Sequence, residues 1–408
     1  MSGLNFIAGE FVSAREGGSF AHVDPSTGEE DLRIADSGLL DVVAAVQAAN
    51  KAAPNWTTST IEERVKILKS AAQLIEERAT SLAEAQSRDQ GTLLAKSRDW
   101  SVPRARESFL HHATVIEAGI ERNETTSVLE SGLRFQSNRL PIGVVGIITP
   151  WVDPLAIMSS RVSAALAAGN AVILKASEFA PRTAGAFAEI LRDAGLPSGV
   201  FALLQGRGDQ VGTSLVEHPG VSTIAFVGST ETGRTVAKIA SEPLKKLHLS
   251  LGSRNPVLVF ASCDLDRVVP KVANVTLGTH PRQCWRGSRL FVQESIYKDF
   301  LARFKDHVEK VRLGPALDPS SALGPLAHAG LARHFESVAA QATSERGKWL
   351  FGGTSSERGG AFVTPSATYD FTLCSTLQQD EILGPMMTIA SFKYQHDAVK
   401  QANNSQLG

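Results

Sequence analysis

The sequence is poor in cysteine, with Cys263, Cys284 and Cys374 the three in 408 residues. Disulfide-framework density and CxxC metal-ligand spacing are both missing, which points to a reducing, cytoplasmic setting and to no metal site. An excess of charge of either sign is also missing, with 41 Lys and Arg against 42 Asp and Glu. A protein that grips a phosphate backbone needs a basic surplus, so nucleic acid is not an expected partner. No apolar stretch reaches the roughly 20 residues of a membrane span. The most apolar region, LPIGVVGIITPWVDPLAIM, is broken by Pro141, Gly143, Gly146, Pro150, Asp153 and Pro154. The N-terminus MSGLNFIAGEFVSAREGG has no basic head before an apolar run, so neither a secretory leader nor a membrane partner is expected. Fixed-period repeats and low-complexity tracts are absent as well.

The remaining composition is that of a globular chain, 43% hydrophobic and 20% charged, and its length predicts two or three domains. Two helical signals come first. In DSGLLDVVAAVQAANKAAPNW, Asp36 or Ser37 is placed to cap a helix whose one face carries Leu39, Val42, Val43 and Val46. In STIEERVKILKSAAQLIEERATSLAEA, Thr60 and Glu63 have capping-box spacing ahead of the stripe Val65, Leu68, Ala72 and Ile75. TTSVLESGLRFQSNRLP alternates around Ser131 and Gly132 as a hairpin, equally readable as an oligomer contact or a surface excursion.

From residue 142 the pattern changes. The apolar runs IGVVGIIT, NAVILKA, GVFALLQ, TIAFVG and NPVLVF alternate with AIMSSRVSAALAAG, RTAGAFAEILRDAG and TETGRTVAKIASEP, which have helical spacing. Such alternation predicts a parallel sheet covered on both faces, with any ligand at the carboxyl ends of its strands. Beyond Phe260 a second α/β unit is expected, with helices in DLDRVVPKVANVTLG and YKDFLARFKDHVEKV and strands in SRLFV, KWLFGG and GPMMTIASF.

In IAFVGSTETGR a strand runs into Gly228, Ser229 opens the turn, and Gly233 lies in the first turn of a helix. Glycines there let a diphosphate approach the backbone, and a helix N-terminus offers N–H groups to it. Alone, this spacing is equally that of an ordinary strand–helix turn. In order along the chain, however, PIGVVGIITPW, NAVILKASE, FVGSTETG, LGSRNPVLVF, CWRGSRLFV and DEILGP resemble the motifs of the NAD(P)-dependent aldehyde dehydrogenases, as do FIAGEFV…VDPSTGE near the start and ANNSQLG at the end.

The resemblance covers essentially the whole chain and implies an α/β aldehyde dehydrogenase-like fold. A Rossmann-type parallel-sheet cofactor domain would take residues 1–122 and 142–250, and a protruding oligomerisation hairpin residues 123–141. A second α/β catalytic domain, 251–408, would be incomplete at its C-terminal end, since family members continue further. It implies NAD as cofactor, with NADP also admitted, and a small-molecule aldehyde as substrate. Assembly as a homo-oligomer or hetero-oligomer would use the hairpin. Position by position, Trp151 would meet cofactor phosphate, and Lys175, Ser177 and Glu178 the adenine ribose. Gly228, Ser229 and Gly233 would face the diphosphate, with Leu251 and Gly252 also in the cofactor site. Glu381 would bind the nicotinamide ribose, and Leu383 stands where the family has phenylalanine.

Within HPRQCWRGSRLFV, Cys284 falls at the position of the family's catalytic cysteine. The chemistry needs a thiolate, donors for the oxyanion, and a base to activate water. Val152 replaces the family's oxyanion asparagine, and Ser250 replaces the general-base glutamate. Trp285 and Arg286 stand where small residues follow the cysteine. His280, Arg282 and Arg286 would lower the thiol pKa if they face it, and Asp153 is a carboxylate close to the depleted site. Three readings stay open: a dehydrogenase impaired in acyl release, a catalytically dead member acting as a cofactor-binding subunit or scaffold, and a coenzyme A-acylating dehydrogenase.

Overall fold

The computed structural model describes residues 3–119, 125–128, 131–137, 139–278, 285–345, 347–354, 356, 358–371 and 375–407. They form two compact units. The first comprises Met1–His22, Asp31–Gln86 and Ser97–Ser250; the second comprises Val23–Glu30, Ser87–Lys96 and Leu251–Gly408.

The first unit is built on a seven-stranded sheet in the order Lys246–Ser250, Thr223–Val227, Val144–Ile148, Ala171–Lys175, Phe201–Leu204, Asn5–Ile7, Glu10–Val12. The first five strands are parallel, and the N-terminal pair joins antiparallel to Phe201–Leu204. Ala171–Lys175 is buried along its whole length, as an interior parallel strand covered on both faces requires. Each fully buried aliphatic or phenyl side chain contributes roughly 1.5–3 kcal/mol, and Ile173, Leu174, Phe187, Phe201 and Phe109 are all in this core.

Helices Pro154–Ala167, Pro181–Asp193 and Thr230–Ser241 occupy the segments with helical spacing. Pro154–Ala167 ends in a Schellman arrangement, with Asn170 N–H donating to Ala165 O at 3.0 Å and Gly169, at φ +77°, turning the chain into the next strand. Helix Ile61–Glu77 carries the expected capping box, Thr60 N–H to Glu63 Oε2 at 2.9 Å and Glu63 N–H to Thr60 Oγ1 at 3.2 Å. The cap of Leu39–Thr57 differs from expectation: it is Gly38, whose N–H is accepted by Asp41 Oδ2 at 3.1 Å. Ser37 is diverted to Asn5 Oδ1 at 2.9 Å and Asp36 to Arg207.

The second unit holds a five-stranded sheet in the order Asn255–Val259, Gly287–Gln293, Met386–Phe392, Ser366–Tyr369, Lys348–Phe351, parallel but for the last pair. NPVLVF, grouped by its apolar run with the earlier strands, therefore belongs here. The fifth parallel strand of the first sheet is instead KLHLS, an edge strand whose partial exposure admits polar residues. Helices Leu265–Ala273 and Tyr297–Val308 cover the sheet, with Phe300 and Phe304 stacked at 5.4 Å in the core.

Thr125–Val128 and Arg134–Ser137 pair antiparallel as a hairpin, leaving Val128, Leu133 and Phe135 exposed, together with Leu140 beyond it. Among the described residues no helix is long and apolar enough to cross a membrane, and no cluster of His, Cys, Asp and Glu is placed to hold a metal.

Candidate active site

In the first sheet the strand order reverses between Val144–Ile148 and Thr223–Val227, because the chain lays later strands on both sides of Val144–Ile148. Open parallel sheets bind ligands at such a switch point, beyond the carboxyl ends of the strands. Two predicted groups of residues lie there. Trp151 and Val152, both half-buried, follow the strand Val144–Ile148; Gly228 and Ser229 follow Thr223–Val227.

The 149–153 turn is held by a buried polar network. Thr149 N–H donates to Lys175 O at 3.1 Å across the adjacent strand end. Gln86 Nε2 donates to Ser97 Oγ at 3.1 Å and Ser101 Oγ at 2.8 Å, while its Oε1 accepts Leu155 N–H at 3.3 Å, anchoring the start of the following helix. Thr149 Oγ1 is buried at the strand end with no protein hydrogen-bond partner.

Asp153 stands at the N-cap position of that helix, without a side-chain capping hydrogen bond, in the left-handed region at φ +43° and ψ +51°, a conformation Asp and Asn tolerate better than most residues. It is 1% exposed, and burial pushes its carboxyl up to about 6, against the opposing pull of a Ser101 hydrogen bond and the Arg104 charge. That value suits a base near neutral pH, but burial denies it the water a base must activate. It carries a stability consequence instead. A carboxyl whose folded pKa lies above its unfolded value stabilises the fold below pH 4, and this is lost as pH rises through about 6. A shift of this size corresponds to about 2–3 kcal/mol. Asp153→Asn is therefore expected to gain stability over the wild type by about that much on going from pH 4 to pH 7. Urea denaturation at the two pH values measures it, and an unchanged difference between variant and wild type would remove this account of Asp153.

Lys175 ends its strand almost wholly buried, its Nζ 3.2 Å from Glu178 Oε2. Burial lowers its pKa, and the charges of Glu178 and Asp209 oppose that. Ser177, also buried, accepts Phe179 N–H at 3.3 Å and holds the turn that returns Glu178 to the lysine. A Cβ on Gly208 would stand 4.0 Å from Lys175 Nζ, so Gly208 and Asp209 border the same spot. Sequence reading passed over them, although LLQGRGD places glycines just beyond a buried strand, the same signal used at Gly228.

Gly228 N–H donates to Ser250 O at 3.1 Å, and a Cβ at Gly228 would press into the Phe226 ring at 2.5 Å. Ser229 caps the helix Thr230–Ser241 through Thr232 N–H at 3.2 Å, and Gly233 N–H donates to Ser229 O at 2.9 Å in the first turn. Ser250, half-buried, is the last residue of the edge strand. The structure thus brings Trp151, Val152, Lys175, Ser177, Glu178, Gly228, Ser229, Gly233 and Ser250 to the carboxyl ends of one sheet.

In the second unit Glu381 is held by Ser253 N–H, and a Cβ on Gly252 would collide with its carboxylate. Leu251 is half-buried beside this contact in sequence. Burial raises the Glu381 pKa; the Ser253 N–H, Arg286 and Arg254 pull it back. Arg286 is 5% exposed, and its Nη2 donates to Ile382 O and Met386 O, each at 2.9 Å. Cys284, His280 and Arg282 lie outside the described residues. Trp285 is 43% exposed.

Two parallel-sheet units with a polar, glycine-lined switch point define a nucleotide-binding class of α/β protein. The chain belongs to the aldehyde dehydrogenase family, oxidoreductases acting on aldehydes, whose family model matches residues 11–408. It is 33% identical to the 2-aminomuconic semialdehyde dehydrogenase of Homo sapiens, over 99% of this chain and 84% of that protein. Its fold is similar to the crystal structure of HpcC from Thermus thermophilus, with TM-score 0.95 and 36% identity over 100% of this chain and 80% of that one. It is also similar to a structure of PnpE in complex with nicotinamide adenine dinucleotide, with TM-score 0.96 and 32% identity over 100% of this chain and 83% of the other.

Proposed function

We propose that the chain is an NAD-dependent aldehyde dehydrogenase in which Cys284 is the nucleophile and release of the acyl group is the slow step. The observation that carries this reading is the set of residues at the strand ends of the first unit. There the charges of Lys175 and Glu178 are matched beside Gly208, and Gly228 opens onto a helix capped by Ser229. The Thr149 hydroxyl, buried without a protein partner, fits a polar ligand at the same strand end. Glu178 accepts hydrogen bonds from ribose hydroxyls and repels a 2′-phosphate, and Lys175 is already paired with it, which favours NAD over NADP. Trp151 would meet the cofactor phosphate. Glu381, with Gly252 leaving room for its carboxylate, would hold the nicotinamide ribose.

In this mechanism the Cys284 thiolate attacks the aldehyde carbon to give a thiohemiacetal, whose oxidation leaves a thioester. Bound NAD supplies the hydride acceptor. Water then cleaves the thioester, releasing the acid and restoring the thiol. Val152 offers no hydrogen bond to the oxyanion, and Ser250 cannot act as a base near neutral pH without help. Coenzyme A, whose thiol needs less activation than water, would bypass the second defect. A semialdehyde, named for the human relative, is the first substrate kind to try. The exposed Val128, Leu133 and Phe135 of the hairpin support assembly with other copies or related subunits through that element.

A second reading, a non-catalytic cofactor-binding subunit or scaffold, is favoured by the combined loss of the oxyanion donor and the base. Rapid-mixing measurement of NADH formation across a panel of aldehydes separates the two. A burst of about one NADH per site followed by slow turnover, absent in Cys284→Ala, is the expected result. No NADH from any aldehyde, with NAD still bound, would establish the second reading.

A further inference from the structure

We propose that Arg286 is a positioning residue, tying the start of the strand after Cys284 to the 382–386 loop and, through that loop, setting Glu381 for the nicotinamide ribose. The inference rests on the dehydrogenase reading above and deepens it: an arginine in a place where the resembled family has a small residue takes over part of the cofactor site.

Arg286 stands immediately before the strand Gly287–Gln293. Its side chain is buried, and one nitrogen, Nη2, bridges Ile382 O and Met386 O, so it grips the chain one residue and five residues beyond Glu381. The other side of the segment is held independently. Arg254, also buried, donates from Nε to Leu377 O at 3.2 Å and from Nη2 to the same oxygen. Ser253 N–H donates to the Glu381 carboxylate, and Gly252 leaves the space that carboxylate needs. Glu381 is therefore located by a backbone donor on one side and by arginine-held carbonyls before and after it.

Charge supports the geometry. Burying a guanidinium is costly unless an opposite charge lies near. Arg286 is pushed down to about 10 by burial, with Glu381 opposing the shift, and Arg286 in turn draws Glu381 towards its ionised form. The same electrostatic contact thus keeps the arginine charged and the carboxylate ready to accept ribose hydroxyls. A neutral side chain at position 286 removes the arginine's hydrogen bonds to the two carbonyls and leaves the carboxylate less ionised.

The test is a double-mutant cycle on ligand binding, read by titration calorimetry with NAD and, separately, with ADP, which lacks the second ribose. Wild type, Arg286→Met, Glu381→Gln and the double variant are compared. Each single change is expected to weaken NAD by about tenfold, with the double variant no weaker than Glu381→Gln alone and ADP affinity unchanged throughout. Arg286→Lys, which keeps the charge but not the two-carbonyl grip, is expected to fall between wild type and Arg286→Met. It also replaces Met in the cycle if that variant loses ADP binding through misfolding. Multiplying effects, about a hundredfold in the double variant, would overturn the proposal, because Arg286 would then act independently of Glu381. NAD affinity unmoved by Glu381→Gln, with ADP and NAD both bound, would overturn it too. A wild type that binds neither ligand would instead remove the dehydrogenase reading, and this inference with it.

Discussion

Ser250→Glu is expected to raise steady-state NADH production by about 10²-fold while leaving the burst at one NADH per site, since a positioned general base contributes typically 10²–10⁴. The substitution asks little of the fold. Ser250 is half-buried at the end of an edge strand, and the contact that fixes its backbone, Gly228 N–H to Ser250 O, does not involve the side chain. On the proposed mechanism a carboxylate there serves the water that attacks the thioester, so the fast phase is expected to be indifferent to it. Stopped-flow absorbance at a saturating aldehyde separates the phases. A steady-state rate that stays at the wild-type level would mean that hydrolysis does not wait for a base at this position. Added coenzyme A should mimic the glutamate in the wild type if thioester cleavage is the bottleneck, and should do nothing if it is not.

Val152→Asn acts on the fast phase that Ser250→Glu leaves alone. An oxyanion donor is typically worth about 10²–10³ in rate, so the burst rate constant is expected to rise by about 10²-fold; thioester hydrolysis also passes through a tetrahedral oxyanion, so the steady state should rise as well. Val152 is half-buried at the switch point, and the network of Gln86, Ser101 and Leu155 N–H fixes the turn just after it, so a new amide enters a preset backbone. Single-turnover kinetics with enzyme in excess reads this constant directly. If Asn leaves it unchanged, the oxyanion is already stabilised by other donors. The double variant Val152→Asn with Ser250→Glu should combine the two gains, because one stabilises the oxyanion and the other activates the attacking water.

The parts of the fold readable from sequence are those where burial is one-sided or complete. Ala171–Lys175 and Phe201–Leu204 announce themselves as unbroken apolar runs because both faces are covered. The helix from Ile61 does so because Thr60 and Glu63 close a reciprocal cap. KLHLS was missed because an edge strand alternates polar and apolar residues over too short a span, and SATY, Ser366–Tyr369, because its burial depends on neighbours distant in sequence. The long helix Ala329–Ser344 escaped for a related reason: it is rich in alanine, so its buried face contrasts weakly with the rest.

The site divides in the same way. Residues tied to a strand end, such as Lys175, Glu178 and Gly228, could be placed from motif order. At Arg286 the neighbours in sequence suggested a role beside a thiol, whereas the contacts of its guanidinium, with carbonyls about a hundred residues away, could not be read from adjacency. Asp153, a carboxylate close to the site in sequence, is buried at the N-cap position of a helix without a side-chain capping hydrogen bond. Side-chain direction at turns is set by tertiary contacts that no local pattern encodes.

The chain crosses between its two units five times, at 22/23, 30/31, 86/87, 96/97 and 250/251. The early visits to the second unit are not loose ends. Ser26 Oγ accepts Ala316 N–H at 3.1 Å, Leu94 N–H donates to Ala316 O at 2.9 Å, and Gly91 lies against Pro325. A single crossover near residue 250, the obvious place to splice one relative's cofactor half onto another's catalytic half, would join a 316–325 segment from one parent to the 23–30 and 87–96 segments of the other. A chimaera that moves all three segments as a set is therefore expected to be tolerated where the simple splice is not.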